Sequence, residues 1–96
     1  MPPGFEFAHV IVAGRVQGVG FREFTRRVAE ARGAAGFVRN RADGSVEARL
    51  IAPPEALAAL IEDLRRGPSH ARVSELRILE RGASPPQSGF RIAPTL

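Results

Sequence analysis

Two segments of this chain repeat their apolar residues with the period of an α-helix, and each lies between segments typical of β-strands. The apolar face of the first consists of Phe21, Phe24, Val28 and Ala31. Gly33 supplies the stop signal of this helix. The second segment starts with Pro53 and Pro54, which suit the first turn of a helix, and ends at Gly67. Its apolar stripe consists of Leu57, Leu60, Ile61 and Leu64.

Five other segments are rich in apolar and β-branched residues and are expected to form strands. They cover residues 5–13, 35–41, 45–50, 72–80 and 90–92. Asp43 and Gly44 predict a hairpin turn between the second and third strands, because both residues tolerate the positive φ of tight turns. The third strand alternates polar and apolar residues, so we expect one of its faces to be buried. In the fourth strand, Leu76 and Ile78 share a face while Val73 is out of phase, which predicts a bulge.

The resulting order is β-α-β-β-α-β with a small extra strand at the end. Right-handed crossovers would place both helices on one face of a mainly antiparallel sheet, which is the ferredoxin-like α/β plait of the α+β class. Residues 82–88, GASPPQS, are expected to form a turn-rich loop before the last strand. The length of 96 residues predicts a single domain over residues 1–96.

The residue types that the chain lacks exclude several kinds of chemistry. Absence of cysteine removes disulfides, thiolate metal sites and cysteine nucleophiles, and absence of lysine removes Schiff-base chemistry. The histidines are His9 and His70, so a His-rich metal centre is excluded, whereas a carboxylate-only metal site stays formally open. We expect His9 to be satisfied in its strand and His70 to lie on the surface. The 14 arginines give a net charge of +4, which fits an anionic partner or simply a solvated surface.

The stretch GRVQGVGFR, at residues 14–22, follows the first strand and combines three glycines with two arginines. Glycine admits backbone conformations closed to other residues and leaves the N–H groups bare, so these groups can converge on one anion. The stretch also runs into the first helix, whose first turn carries unpaired N–H donors and a positive partial charge. Arg22 adds a guanidinium that can bind two phosphate oxygens at once. The stretch predicts a cradle for a small tetrahedral dianion; the alternative is a solvated loop without a ligand.

Two familiar phosphate-binding motifs do not account for this loop. The motif Gly-x-x-x-x-Gly-Lys-Ser/Thr needs a lysine, which the chain lacks. A dinucleotide-binding fingerprint built on Gly18 and Gly20 would need a third glycine where Glu23 stands. A phosphate at this loop would therefore be held in another way.

Two long stretches together resemble the signatures of the acylphosphatase family. GRVQGVGFR is similar to the first signature, and GFVRNRADGSVE, at residues 36–47, is similar to the second. RRGPSHARVSELRI, at residues 65–78, also matches, so the resemblance runs from about residue 8 to residue 80. The resemblance implies an α/β plait that hydrolyses the carboxyl-phosphate bond of acyl phosphates without a metal or an organic cofactor.

The resemblance also implies roles for individual residues. The residues that would bind the substrate phosphate are Arg15, Val16, Gln17, Gly18, Val19, Gly20, Phe21 and Arg22. Arg22 matches the catalytic arginine, and Asn40 matches the asparagine that positions the attacking water; without the motifs, Asn40 would be interpreted as a structural residue before a turn. Water would attack phosphorus in line, an oxygen of the phosphate would take its proton, and no covalent intermediate would form. Positioning and charge stabilisation suffice because a carboxylate is a good leaving group.

Two alternative functions stay open. Ferredoxin-like sheets can bind RNA through aromatic residues on their open face, but here Phe37, near Arg39 and Arg41, is all that the sequence offers, so nucleic acid is not expected. A closer alternative is an acylphosphatase-like module that handles carbamoyl phosphate, as in hydrogenase maturation proteins. A preference for carbamoyl phosphate over simple acyl phosphates would favour that alternative.

The expected partners are a small-molecule acyl phosphate as substrate and inorganic phosphate as product and inhibitor. No apolar stretch approaches the length of a membrane span, and the first residues show neither a secretory signal nor an obvious transit peptide. We therefore expect a monomeric, cytoplasmic protein that uses no metal and no cofactor. Whether its substrate is a metabolite or an acyl-phosphorylated protein stays open.

Overall fold

The computed structural model describes residues 4–96, and its elements follow the predicted order. They are β1 (Phe5–Arg15), α1 (Phe21–Ala31), β2 (Ala35–Asn40), β3 (Val46–Ala52), α2 (Pro54–Arg66), β4 (Arg72–Ser84) and β5 (Phe90–Ile92). Both helices and the short last strand lie where the sequence predicts them. Within this part of the chain, no helix is long and apolar enough to cross a membrane.

The strands form one sheet in the order β4-β1-β3-β2-β5. β1 pairs antiparallel with β3 and β4, β2 pairs antiparallel with β3, and β5 pairs parallel with β2. α1 packs over β2 and β5, while α2 packs over β1, β3 and β4. Side chains from both helices join those of the sheet in one buried apolar cluster, so the helices cover the same face. The predicted ferredoxin-like α+β fold is thereby confirmed.

The buried face of α1 differs from the face that its apolar spacing predicts. The buried residues are Phe21, Thr25 and Ala29. Ala31 is exposed, and Phe24 and Val28 are only partly covered. Thr25 can face the core because its hydroxyl donates a hydrogen bond of 2.8 Å to the Phe21 carbonyl, so no polar group is left unpaired. The predicted apolar face is therefore wrong at Ala31. The buried face includes Thr25 instead, because the hydroxyl of Thr25 is hydrogen-bonded within its own helix.

β3 is buried on both faces rather than on one. It lies between β1 and β2, with Val46 and Leu50 turned to the helices. Glu47, on the open face of the sheet, is only 6% exposed, and its carboxylate oxygens lie 2.5 Å from His9 Nε2 and 2.9 Å from Arg39 Nε. Burial acts to raise the pKa of Glu47, but these hydrogen bonds outweigh it and hold the pKa below its ordinary value. The prediction that His9 is satisfied in its strand is confirmed.

β1 and β4 pair over a longer stretch than the sequence predicts. β1 continues to Arg15, and β4 continues to Ser84, which pairs with Phe5. Residues 82–84 therefore belong to the sheet and not to the predicted loop, because the first residues of β1 supply their backbone partners.

The bulge predicted in β4 is present. The β1–β4 register shifts between Ala13 and Gly14, the latter being paired with Val73. Leu76 and Ile78 pair with residues of β1 on the helix-covered face, so they share a face as predicted. Ile78 is nevertheless 39% exposed, because β4 forms an edge of the sheet.

Candidate active site

The connection between β1 and α1, residues 16–20, takes backbone conformations that favour glycine. The angle φ is +74° at Gly18 and +78° at Gly20, in the left-handed region that other residues enter only at a cost. A Cβ atom at either position would meet nothing within 4 Å, so the backbone angle and not crowding calls for glycine. Val16 anchors the connection, because its side chain is buried in the core. The connection is therefore fixed at its start while its glycines stay bare.

The side chain of Gln17 ties this connection to the β2–β3 hairpin. Its Nε2 donates hydrogen bonds of 2.8 Å to the carbonyl oxygens of both Arg41 and Ser45. Arg41 N–H donates to Ser45 O at 2.9 Å, and Gly44 N–H donates to Arg41 O at 3.1 Å, which confirms the predicted turn. Asn40 is the last residue of β2, directly before this turn. Gln17 therefore sets the position of the connection relative to Asn40.

α1 begins directly after Gly20 with an uncapped first turn. No side chain caps this end, and Phe24 N–H donates to Gly20 O at 3.0 Å as the first bond of the helix. The N–H groups of residues 21–23 have no acceptor within the helix. Together with the helix dipole, they favour an anion at this position.

The connection, the start of α1 and the end of β2 surround a cavity of about 340 Å³. Its lining consists of Val16, Gly18, Gly20, Phe21, Arg22, Glu23, Asn40 and Ile92. Most of the residues that the family resemblance implies therefore meet at one cavity. Three of them do not line it: Arg15 is exposed at the end of β1, Gln17 bonds the hairpin, and Val19 packs against the core.

Arg22 and Asn40 both keep unused bonding capacity in this cavity. Among residues 4–96, no carboxylate forms an ion pair with Arg22, whereas Arg26 on the same helix pairs with Glu23 and Glu30. The Oδ1 atom of Asn40 is buried and accepts no hydrogen bond from the described part of the chain. Buried polar atoms are seldom left unpaired, so this acceptor is available to a bound group.

Glu23 also lines the cavity, but its carboxylate is paired with Arg26. Arg26 binds Glu23 through Nη2, and its Nε lies 3.3 Å from the second carboxylate oxygen. The hydrogen bond from Arg26 lowers the pKa of Glu23, and the charges of Arg26 and Arg27 act in the same direction. Because this ion pair satisfies Glu23, the charge of Arg22 stays available to an anion.

Sequence patterns do not indicate Glu23 or Ile92 as cavity residues. Ile92 reaches the cavity because β5 pairs parallel with β2, which sets Ile92 opposite Val38. That pairing joins distant segments and leaves no local signal. His70 is exposed, as predicted, and neither histidine lines the cavity. Over residues 4–96, no three metal-ligating side chains come together.

Comparisons with known proteins agree on one family. The family model for acylphosphatase matches residues 8–92. The acylphosphatase of Azorhizobium caulinodans is 47% identical over 88 residues, which cover 92% of this chain and 95% of that protein. The crystal structure of acylphosphatase from Bacillus subtilis is 36% identical, with a TM-score of 0.84 over 93% of this chain and 98% of that chain. An acylphosphatase structure from Coxiella burnetii, also 36% identical, has a TM-score of 0.86 over 94% of each chain. The chain therefore belongs to the acylphosphatase family of hydrolases.

Proposed function

We propose that this acylphosphatase hydrolyses acyl phosphates by direct attack of water on phosphorus, in line with the departing carboxylate. The bond from phosphorus to the acyl oxygen breaks as the bond from the water oxygen to phosphorus forms. The acyl oxygen keeps the electron pair and leaves as a carboxylate. One proton of the water passes to a non-bridging phosphoryl oxygen. The products are a carboxylate and inorganic phosphate, and the reaction needs no metal, no organic cofactor and no bond to the enzyme.

One juxtaposition carries this proposal. The free guanidinium of Arg22 and the buried, unpartnered Oδ1 of Asn40 line one cavity at an uncapped helix start. The guanidinium and the helix start favour an anion. The amide oxygen favours a hydrogen-bond donor, which a water molecule is. The cavity therefore supplies complementary groups for both reactants.

The phosphate site combines backbone and side-chain donors. In the proposal, backbone N–H groups of the β1–α1 connection and of the first turn of α1, together with the guanidinium of Arg22, hold the phosphoryl oxygens. The transition state spreads negative charge over three equatorial oxygens, and donors that already point at it stabilise it without reorganising. The buried Val16 and the hydrogen-bonded Gln17 keep the connection in place. Rigidity here supports catalysis because it fixes those donors before substrate binds.

Asn40 positions the attacking water in this proposal. Its Oδ1 accepts a hydrogen bond from the water, and the amide does not titrate, so orientation persists over a wide pH range. An amide cannot take the proton, which is why that proton passes to the phosphoryl group. Gln17 links the phosphate loop to the hairpin just after Asn40, so it sets the distance between phosphorus and water.

The family implies a small-molecule acyl phosphate as substrate. We extend this to inorganic phosphate as product and inhibitor. We also propose that residues 1–96 form one acylphosphatase-like domain, and that the protein is monomeric and cytoplasmic and binds no nucleic acid. Carbamoyl phosphate is the alternative substrate to compare. A kcat/KM for carbamoyl phosphate at least tenfold above that for acetyl phosphate would redirect the proposal to the carbamoyl-phosphate module.

The test is hydrolysis of acetyl phosphate in ¹⁸O-labelled water with excess chelator. Attack on phosphorus predicts one ¹⁸O atom in the inorganic phosphate and none in the acetate. Label in the acetate would mean attack on the carbonyl carbon and would contradict the mechanism. Loss of activity on adding chelator would contradict its metal independence. A phosphoenzyme trapped by rapid acid quench would contradict the absence of a covalent intermediate.

A further inference from the structure

A second groove, of about 480 Å³, lies on the face of the sheet that the helices leave uncovered. Its lining consists of Gly36, Phe37, Arg49, Ile51, Gln87, Ser88, Gly89, Phe90 and Arg91. Phe37 and Arg91 alternate along their strands with Val38 and Ile92, which face the helix side. The sheet therefore separates this open-face groove from the catalytic cavity.

Two arginines flank one aromatic ring at this groove. Phe37 on β2 pairs with Arg49 on β3 and, on its other side, with Arg91 on β5. Paired residues point to the same side of a sheet and neighbouring strands lie about 4.8 Å apart, so the three side chains form one row about 10 Å long. Ile51, two residues beyond Arg49 on β3, extends the apolar floor.

The groove arginines differ from the other arginines of the same sheet face. Arg39 is paired with Glu47 at 2.9 Å and Arg77 with Glu75 at 3.8 Å. Across the described residues, neither Arg49 nor Arg91 has a carboxylate within ion-pairing distance. The uncompensated positive charge of this face is thus concentrated where the groove lies.

Arg49 is also held in an orientation that leaves donors free. Its guanidinium lies over the ring of Phe7, 4.2 Å from the ring centre. Stacking occupies the flat face of a guanidinium and leaves the N–H groups along its edges available. An anion can therefore bind Arg49 without displacing this contact.

The wall of the groove is fixed to the sheet. Gly36 N–H donates a hydrogen bond of 3.0 Å to Gly89 O, which attaches the segment before β5 to the edge of β2. Gly36 has φ +126°, and a Cβ there would lie 1.8 Å from Arg49 O, so the close approach of β2 to the backbone of β3 requires glycine at this point. The groove is consequently formed before any ligand arrives.

We propose that the open-face groove binds small organic anions that join a carboxylate or phosphate to a flat apolar body. The anionic group binds Arg91, and the apolar body lies across Phe37 and Ile51 towards Arg49. The groove volume lies within the range of small-molecule sites, about 300–1,000 Å³. This site does not depend on the proposed catalytic mechanism, because it shares no lining residue with the catalytic cavity.

The test is a titration of the ¹⁵N-labelled chain with benzoate and with phenylphosphonate, followed by amide NMR shifts. Both probes should cause saturable shifts at Gly36, Gly89 and Arg91, in the wild type and equally in Arg22→Ala. The second protein separates this site from the catalytic cavity. Arg91→Gln, a change on an exposed side chain, should weaken binding at least tenfold, since a charged hydrogen bond is lost. Arg77→Gln is the matched control and should bind as the wild type does.

Several outcomes would overturn the proposal. A specific anion site would be excluded if the probes cause no shifts at the groove, if the shifts persist in Arg91→Gln, or if benzamide causes equal shifts. Shifts that vanish in Arg22→Ala would assign the binding to the catalytic cavity. An octathymidine that binds more tightly than the small probes, with shifts spreading to Ile11 and Arg77, would make the face a nucleic-acid surface instead.

Discussion

The two helices of this fold start in equivalent topological positions but offer different chemistry. Each follows a strand of the sheet interior: α1 follows β1 through residues 16–20, and α2 follows β3 after Pro53 alone. Pro54, the first residue of α2, has no N–H to donate. Glu55 adds a carboxylate to the first turn of α2, with no arginine paired to it in the described residues. The start of α1 instead presents bare N–H groups beside Arg22.

This difference indicates that the candidate site depends on the β1–α1 connection and not on the fold as a whole. The β3–α2 connection is the single residue Pro53, which is too short to form a loop around a ligand. The longer β1–α1 connection uses two left-handed glycines to aim its backbone, and Gln17 to hold it.

The largest expected effect is that of removing the free guanidinium at the start of α1. Arg22→Ala should lower kcat/KM for acetyl phosphate by about 10³-fold or more, the scale at which an arginine stabilises a phosphoryl transition state. Arg27→Ala, on an exposed position of the same helix, is the matched control and should keep wild-type activity. More than a tenth of wild-type activity in Arg22→Ala would exclude this arginine from the mechanism.

The next largest effect concerns Asn40, the last residue of β2, which lines the cavity at the start of α1. Asn40→Ala should lower kcat by about 10²-fold, because the water loses its orienting acceptor. Inorganic phosphate should inhibit the variant with an unchanged inhibition constant, since its binding groups remain. A parallel loss of phosphate affinity would mean that Asn40 binds phosphate rather than water.

A smaller effect separates the conformation of the connection from general stability. Gly20 at the start of α1 and Gly33 after its end have φ of +78° and +69°, and a Cβ at either would meet nothing within 4 Å. Gly20→Ala and Gly33→Ala should therefore each lower the free energy of unfolding by about 1–2 kcal/mol. Gly20→Ala alone should also lower kcat/KM, by about tenfold, because it misdirects the N–H groups of the first turn. Equal activities in Gly20→Ala and Gly33→Ala would mean that the conformation of Gly20 affects stability alone and not catalysis.

The smallest effect involves the opposite ends of the helices and should leave activity at pH 7 unchanged. Asp63 on α2 bonds Arg32 after α1 at 2.6 Å and Arg66 at 2.7 Å, and the bond from Arg32 is the main cause that lowers the pKa of Asp63. A lowered pKa in the folded state stabilises the protein above the unfolded pKa, and this stability is lost as pH falls below about 4. Urea unfolding measured between pH 7 and pH 2 should show that the free energy of unfolding falls less steeply with decreasing pH in Asp63→Asn than in the wild type. If the free energy of unfolding falls with pH equally steeply in both proteins, Asp63 does not contribute to acid unfolding.

The fold could be predicted where its signals are local. Asp43 and Gly44 carry the hairpin turn in their own backbone preferences, and the stripe of α2 has a clear helical period. The second buried face of β3 could not be predicted, because Glu47 is satisfied by His9 and Arg39 from the neighbouring strands. The buried Thr25 was equally hidden, since its hydroxyl bonds its own helix.

The candidate site divides in the same way. Arg22 and Asn40 could be selected because each stands in a long motif, and their catalytic roles stay predictions. Ile92 could not be selected, since only the parallel pairing of β5 with β2 brings it to the cavity. The side-chain role of Gln17 depends on carbonyl groups of the hairpin, which no pattern within the loop reveals.

The most direct test of the central claim compares the two helix starts within one experiment. The ¹⁵N-labelled chain would be titrated with inorganic phosphate, and the amide shifts of residues 16–23 would be compared with those of residues 55–58. We predict saturable shifts over residues 16–23 and at the side-chain amide of Asn40, and none at the start of α2. Shifts of similar size at both starts, or none at residues 16–23, would contradict the assignment of phosphate chemistry to the β1–α1 connection.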